Sequence, residues 1–198
     1  AVVGYGGNPN ACCDLLRAKN IPTIAGNHAH AALAKTNINY FNEIAKAAAL
    51  WTKDELTAEN RAYLAGLPIT FKAGPFFFVH ASPSQPRDWN YILTMGDARE
   101  AFSYFEERFC FIGHSHQPFV IEFMDNAIIC PSSPRVEIQD NKRYLINVGS
   151  VGQPRDRNPM ACFVIVDLDM KKIEFHRTPY DVESARQAIL ARGLPFQL

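Results

Sequence analysis

The stretch FCFIGHSH (residues 109–116) is the segment from which the fold and the site can be worked out. Its first four residues are apolar, as in a buried strand, and the run ends at Gly113. His114 and His116 would point to opposite faces of a continuing strand, but a turn after Gly113 directs both toward one centre. Because imidazole is the commonest metal ligand near neutral pH, this stretch predicts a metal site at the end of a strand.

Other apolar runs in the chain also end in polar residues or glycine. They are IPTIA (21–25) before Gly26-Asn27-His28, FFFV (76–79) before His80-Ala81-Ser82, and YLINV (144–148) before Gly149-Ser150. In open α/β sheets ligands bind at the carboxyl ends of strands, so the runs are expected to bring polar side chains to one edge. A single histidine at a strand end is usually structural. Several histidines at the ends of neighbouring strands together indicate a functional site. His176, within KIEFHR, is expected to be an ordinary strand residue.

Helices and strands alternate in the first half of the chain, and strands dominate after residue 109. Helices are predicted at 8–20, 40–51, 52–67, 96–109 and 180–195. Thr52 and Glu55 have the spacing of a capping box, and Phe102, Phe105 and Phe109 would lie on the apolar face of their helix. Strands are predicted at 21–25, at 74–82 and in the short apolar runs that follow residue 109. This order predicts a layered α/β domain whose sheets are covered by helices.

Composition excludes several classes of function. Lys+Arg and Asp+Glu are both 20, so no basic field indicates nucleic-acid binding. No apolar stretch approaches the roughly 20 residues that span a bilayer, and no signal segment opens the chain, so a cytoplasmic protein without a membrane partner is expected. The five cysteines lack a CxxC pair, which favours free thiols over disulfides or structural zinc.

Four ordered stretches resemble the calcineurin-like metallophosphoesterase superfamily. They are GNH (26–28), VHAS (79–82), GHSH (113–116) and NVGSVGQPRD (147–156). The opening GYGGNPNACCDLL (4–16) and the closing TPYDVESA (178–185) are similar to a small bacterial-type branch described as phosphodiesterase or diadenosine-tetraphosphatase-like. The resemblance covers essentially the whole chain. It implies an α/β fold, a four-layer α/β/β/α sandwich, in a single domain over residues 1–198.

The resemblance also implies a site with two metals bridged by a carboxylate. Asn27, His80 and His114 would hold one metal, and His116 would be a ligand of the other. His28 would stabilise or protonate the leaving oxygen. Nitrogen and oxygen donors without thiolates suit manganese, iron, zinc or nickel, and manganese is favoured. Two such cations would stabilise the attacking and leaving oxygens of an in-line displacement.

The sequence departs from the family pattern in three places. The family's Asp-x-His on its first strand has no counterpart, the position of its bridging Asp is Ala1, and its GNHD is GNHA, so that Ala29 follows His28. Two departures involve the start of the chain, so a preceding segment with the first N-terminal strand is expected to be missing here. Ala29 is either a natural loss or an engineered change. At most one weakly held metal ion per chain is therefore expected.

Three further residues are candidates for substrate binding. Arg155 could clamp a phosphate through its guanidinium, or it could make a structural contact with Asp156. Tyr5 and Asn8 could line the substrate cleft. The loop SPSQPRDWNYIL (82–93) could cover the leaving group or simply connect two elements, and Trp89 within it is expected to be a packing residue.

Three functions remain open from the sequence. The first is a metal-dependent phosphoesterase, a hydrolase that cleaves phosphodiester or nucleotide-type phosphates with a water activated by two metals. The second is a catalytically degenerate relative that serves as a binding or regulatory scaffold. The third is a metal- or nucleotide-sensing domain that binds without hydrolysis. A small phosphorylated or nucleotide ligand is the expected partner in each case.

Overall fold

The computed structural model describes residues 2–198, which form two compact units. Residues 2–69 and 181–198 make a helical unit, and Thr70–Tyr180 make a sheet unit. The helices are α1 (Pro9–Ala18), α2 (Asn27–Ala32), α3 (Glu43–Glu55), α4 (Ala58–Ala65), α5 (Met95–Ala101) and α6 (Val182–Leu190). The strands are β1 (Thr70–Ala73), β2 (Phe76–Val79), β3 (Phe109–Ile112), β4 (Phe119–Met124), β5 (Ala127–Ile129), β6 (Arg135–Glu137), β7 (Arg143–Asn147), β8 (Ala161–Asp167) and β9 (Lys172–Thr178).

The sheet unit contains two sheets and the helix α5. The larger sheet has the strand order β1-β2-β3-β7-β4-β5, and the smaller has the order β6-β9-β8. Strands β2, β3 and β7 run parallel to one another, while the other pairs are antiparallel. The mixed α/β class predicted from the sequence is therefore confirmed, and the parallel strands share one carboxyl edge.

The two faces of the larger sheet bury different residues. Alternation along β3 places Cys110 and Ile112 on the face covered by α5 and by Phe102. Phe109 lies on the opposite face, where it packs with Tyr144 against Ile173 of the smaller sheet. Helix, large sheet and small sheet thus form successive layers within this unit.

The helical unit is held by a small apolar core and by capped helices. Residues from several helices and the first loop share the core: Val3, Cys13, Ala29, Ala32, Leu56 and Leu64. Asn42 caps α3, Thr57 caps α4, and Asp181 caps α6. No helix within residues 2–198 combines the length and apolar character needed to cross a bilayer.

Two predicted elements in the helical unit differ from the structure. Residues 21–25 are not a strand: Ala25 donates to the Pro68 carbonyl (2.8 Å), but no described strand pairs with the segment, and Ile21 is 45% exposed. An apolar run becomes a strand only where a neighbour accepts its backbone bonds. Thr52 is not a cap either, since it lies inside α3 and its hydroxyl donates to the Ala48 carbonyl (2.7 Å).

The predicted helix 96–109 is shorter in the structure. Helix α5 begins after Thr94, whose side chain forms a capping box with Asp97, and it ends at Ala101. Phe109 therefore belongs to β3, and the chain between α5 and β3 makes turns that still bury Phe102 and Phe105. The strands predicted after residue 109 are present as β3 to β9.

Candidate metal and phosphate site

Three parallel strands end side by side at one edge of the larger sheet. β2 leads into His80, β3 into Gly113 and His114, and β7 into Gly149. The Gly113 amide donates to the His80 carbonyl (3.0 Å), which ties the ends of β2 and β3 together. The convergence expected from the sequence is present for these strands, whereas the run at 21–25 contributes no strand to it.

The His80 and His114 side chains lie against each other at this edge. Their ring centroids are 5.0 Å apart, their planes are tilted by 66°, and both residues are buried. Two buried imidazoles at this separation can direct nitrogen atoms toward a common point between or beside them. The sheet unit thus brings two predicted ligands into contact.

The turn that carries His114 and His116 has an uncommon backbone. Both histidines have left-handed conformations, with φ of 64° and 61°. Such angles are unfavourable for residues other than glycine and persist where the surroundings hold them, often at functional sites. Asn147, fully buried at the end of β7, donates to the Gly113 carbonyl (2.7 Å) and to the Ser115 hydroxyl (2.9 Å). The side chain of Asn147 therefore holds the turn that presents the two imidazoles.

Removing the Asn147 amide should destabilise this turn. Asn147→Ala would remove one donor from the Gly113 carbonyl, and it would leave the buried Gly149 amide, which donates to Asn147 Oδ1 (3.0 Å), without its acceptor. The expected cost is about 1–3 kcal/mol in the free energy of unfolding. Thermal or urea denaturation measures the change. Asn158→Ala is the control: the half-buried Asn158 side chain accepts from the Met160 amide (3.1 Å) in a loop away from the turn, and its loss should change stability by under about 1 kcal/mol. Equal effects of the two substitutions would contradict the role of Asn147.

Each of the two turn histidines has one ring nitrogen bound to a backbone carbonyl. His116 Nδ1 lies 2.7 Å from the Gln153 carbonyl, and the His114 ring hydrogen-bonds to the Trp89 backbone. Because a carbonyl only accepts, each imidazole donates through that nitrogen and keeps a lone pair on the other. This is the arrangement in which metal-binding histidines are held in proteins.

Both imidazoles are neutral at physiological pH. Burial, with added repulsion from His116, lowers the pKa of His114 to about 4. Burial and the nearby Arg155 guanidinium lower the pKa of His116 to about 4 as well. Neutral imidazole is the form that binds metals, so the donor chemistry fits a divalent ion. Within residues 2–198, however, no cluster of three or more His, Cys, Asp or Glu side chains is arranged to hold one.

Asn27 and His28 belong to the helical unit, at the start of α2. Gly26 is the N-cap of α2, so both residues lie in its first turn, and both are buried. The His28 ring contacts the rings of Tyr5 and Phe41, with centroids 4.2 and 5.1 Å away. A predicted substrate residue, Tyr5, is thus in direct contact with the predicted catalytic histidine.

Gly4 and Ala29 show how closely His28 is surrounded. Gly4 has φ of 132°, and a Cβ there would lie 2.4 Å from the His28 ring, so only glycine fits. Ala29 is 1% exposed and packs in the apolar core with Leu56 and Leu64. The position at which the family pattern has an aspartate is therefore apolar in this chain.

Arg155 and Asn8 occupy different settings. The Arg155 guanidinium donates to the Gln153 side chain, with Nη2 2.7 Å from Oε1, and the Arg155 amide donates to the His116 carbonyl (3.2 Å). The Asp156 carboxylate pairs with Arg177 of β9. Asn8 is exposed at the start of α1, and its side chain does not cap the helix.

Several contacts at this edge were not expected from the sequence. The Trp89 and Gln153 backbone carbonyls hold the imidazoles, and the Tyr91 ring stacks on His114. Backbone carbonyls carry no signal in the residue pattern, and the path of the loop that contains Tyr91 depends on left-handed residues that no composition rule marks. Asn147 and Gln153 lie in the stretch 147–156 that carries the resemblance, but no role was predicted for either of them.

Comparison with known proteins identifies the superfamily of this chain. The model of the calcineurin-like phosphoesterase superfamily domain matches residues 1–171. The chain belongs to this superfamily.

Individual relatives support the same assignment. The uncharacterized protein MJ0912 of Methanocaldococcus jannaschii is 37% identical over 98% of this chain and 79% of its own length. The crystal structure of a metallophosphoesterase from Sphaerobacter thermophilus is similar with a TM-score of 0.81 at 34% identity, over 98% of this chain and 81% of that one. The hypothetical protein PH1004 of Pyrococcus horikoshii OT3 shares the fold, with a TM-score of 0.77 at 22% identity over 98% of this chain and 78% of that one.

Proposed function

We propose that the protein is a metal-dependent phosphoesterase that hydrolyses phosphodiester or nucleotide-type phosphates. Membership of the superfamily supports a phosphoesterase. The observation that carries the proposal is the pair of carbonyl-anchored imidazoles, His114 and His116, with His80 packed against the first. A neutral imidazole with one ring nitrogen anchored by a carbonyl is in the form that binds a metal ion, which supports this function.

The metal ligands follow the family pattern in this proposal. Asn27, His80 and His114 hold one divalent ion, and His116 is a ligand of a second, with manganese favoured. The metals would supply charge neutralisation and an activated water for attack on phosphorus. The protein's own contribution is to orient the imidazoles through the Trp89 and Gln153 carbonyls and to keep them neutral by burial.

His28 is proposed to act on the leaving group. An imidazole can donate a proton or a hydrogen bond to the oxygen on which charge develops as the phosphorus–oxygen bond breaks. Arg155, whose guanidinium donates to Gln153, is proposed to bind a phosphate oxygen, and Tyr5 and Asn8 to contact the substrate. The contact between the Tyr5 and His28 rings supports a shared role for these two residues.

The proposal extends to the domain organisation, the family branch, the cellular location and the substrate. The two units are taken as one metallophosphoesterase-like domain over residues 1–198, which is supported by a family match that runs through both of them. We assign the chain to the small bacterial-type branch with phosphodiesterase or diadenosine-tetraphosphatase-like activity, in the cytoplasm, with a small phosphorylated substrate. The balanced charge of the chain favours such a ligand over a nucleic acid.

Hydrolysis of bis(p-nitrophenyl) phosphate tests the proposed function. Release of nitrophenolate is expected with added Mn²⁺, to be abolished by a chelator and to fall in His114→Ala. Turnover that persists in chelator would contradict the proposal. Metal and nucleotide binding without any turnover would instead favour the alternative of a degenerate binding or regulatory scaffold.

Metal content should be low in this chain. Asn27, His80 and His114 are neutral ligands, and dinuclear sites depend on anionic oxygen to balance two cations. We expect at most one ion per chain, lost on dialysis against a mild chelator and measured by elemental analysis. Two tightly held ions would contradict this ligand assignment.

A further inference from the structure

The loop between β2 and α5 is anchored at both ends. At its start the Ser82 amide donates to the Asn90 carbonyl (3.0 Å), which closes the loop on itself. At its end Ile92 is buried in the core of the larger sheet, and Thr94 forms the capping box of α5 with Asp97. Residues 82–94 therefore follow a defined path across the carboxyl edge of the sheet.

Trp89 is the residue of this loop that contacts both His80 and His114. It has φ of 58°, an unfavourable conformation for an aromatic residue, and it is buried. Its backbone is hydrogen-bonded to the His114 ring, and its indole meets the His80 ring edge-on with centroids 5.9 Å apart. The strained backbone thus places one residue against two proposed ligands.

Tyr91 covers the flat face of His114. The two ring centroids are 3.9 Å apart, and the planes are inclined by only 22°, so the rings are stacked. Tyr91 is 46% exposed, which is far more than its apolar neighbour Ile92 at 5%. Burial of its own surface therefore does not explain where the Tyr91 ring lies, whereas the stacking contact does.

The His114 imidazole is consequently restrained in three ways. One nitrogen is bound by the Trp89 backbone, one ring face is covered by Tyr91, and His80 approaches edge-on. Rotation about the bond from Cβ to the ring would break the first contact and collide with the second. A ligand fixed in this way loses less freedom when it binds a metal.

We propose that Tyr91 is a positioning residue for the His114 imidazole and thereby sets the affinity of the protein for divalent metal. The proposal rests on the proposed function, in which His114 is a ligand. The aromatic ring of Tyr91 restrains His114, and its hydroxyl is not needed, because the contact is between ring faces. Tyr91→Phe should therefore preserve the affinity for divalent metal, and Tyr91→Leu and Tyr91→Ala should lower it.

A tryptophan signal next to the site allows a direct test. The chain has two tryptophans, and Trp51→Phe leaves Trp89, beside His80, as the sole emitter. In that background Mn²⁺, a paramagnetic quencher, is expected to lower Trp89 emission as it binds. Tyr91→Ala and Tyr91→Leu should weaken Mn²⁺ binding by about 10-fold or more, as loss of a contact that orients a ligand does, and Tyr91→Phe by less than about 3-fold.

The matched control is Tyr104→Ala. Tyr104 is 51% exposed in the same unit, and its substitution should leave Mn²⁺ affinity unchanged. An unaltered affinity in Tyr91→Leu, or an equal loss in Tyr91→Phe and Tyr91→Leu, would overturn the proposal.

A metal-free measurement separates this proposal from the proposed function. Nitrogen-15 NMR of the His114 ring in chelator should show one tautomer in the wild type and in Tyr91→Phe, and a mixture in Tyr91→Leu. The same single tautomer in Tyr91→Leu would overturn the positioning role. Absence of Mn²⁺ binding by the wild type would overturn the proposed function, while the tautomer ratio would still decide the role of Tyr91.

Discussion

His28→Asn is expected to slow the hydrolysis of a nucleotide diester by about 100-fold or more while barely changing that of bis(p-nitrophenyl) phosphate. The difference comes from the leaving groups. Nitrophenolate is stable without a proton, whereas a ribose alkoxide needs a proton or a strong hydrogen bond as it departs. The measurement is kcat for both substrates in the Mn²⁺-loaded protein.

The surroundings of His28 make this substitution informative. The side chain is buried between Tyr5 and Phe41, and asparagine can occupy the space without a new charge. His30→Asn is the matched control, since His30 is a buried histidine of the same helix, α2. Equal losses on both substrates would reduce His28 to a positioning role. A loss that depends on the leaving group in His30→Asn would assign the proton donor to His30 instead.

Lys142→Ala is expected to lower the free energy of unfolding by about 3–5 kcal/mol. Lys142 Nζ lies 2.5 Å from Glu122 Oε2, and the two side chains are only 10% and 9% exposed. Removing the ammonium leaves a buried carboxylate without its counterion, and desolvation of that charge is the cost. Urea denaturation measures it.

A second lysine and a double variant test the reason for this effect. Lys171→Ala removes an exposed pair with Asp140, in which the Lys171 and Asp140 side chains are 55% and 71% exposed, and it should barely change the free energy of unfolding. Lys142→Met combined with Glu122→Gln removes both charges and should cost much less than Lys142→Ala alone. A double variant as unstable as Lys142→Ala would show that packing, and not the unpaired charge, is responsible.

The strand-rich half of the fold could be predicted from the sequence because local signals agreed there. Short apolar or alternating runs with turn residues between them specify the strands β3 to β9. The segment 21–25 has the same apolar character but lacks a neighbouring described strand, and a strand depends on that partner. The prediction of Thr52 as a helix cap was wrong because α3 continues through it. Inside that helix the Thr52 hydroxyl donates to the Ala48 carbonyl.

The sequence was sufficient to predict which histidines belong to the candidate site. It was not sufficient to predict the contacts that hold those histidines in place. Histidines that follow apolar runs indicated His80, His114 and His116. The sheet brings the ends of β2 and β3 together as expected. The Trp89 carbonyl and the Tyr91 ring reach His114 because the loop adopts a left-handed backbone at Trp89. That conformation is imposed by tertiary contacts, and the sequence of the loop alone does not indicate it.

Mn²⁺ affinity of the full chain, measured by isothermal titration in four proteins, tests the central claim most directly. His80→Ala and His114→Ala should each weaken Mn²⁺ binding by more than about 10-fold relative to the wild type, with unchanged circular dichroism. His176→Ala is the matched control, because His176 lies in β9 stacked on Phe163 and is not a proposed ligand. The Mn²⁺ affinity of His176→Ala should equal that of the wild type. A loss in His176→Ala as large as that in His114→Ala, or no loss in His80→Ala and His114→Ala, would contradict the account.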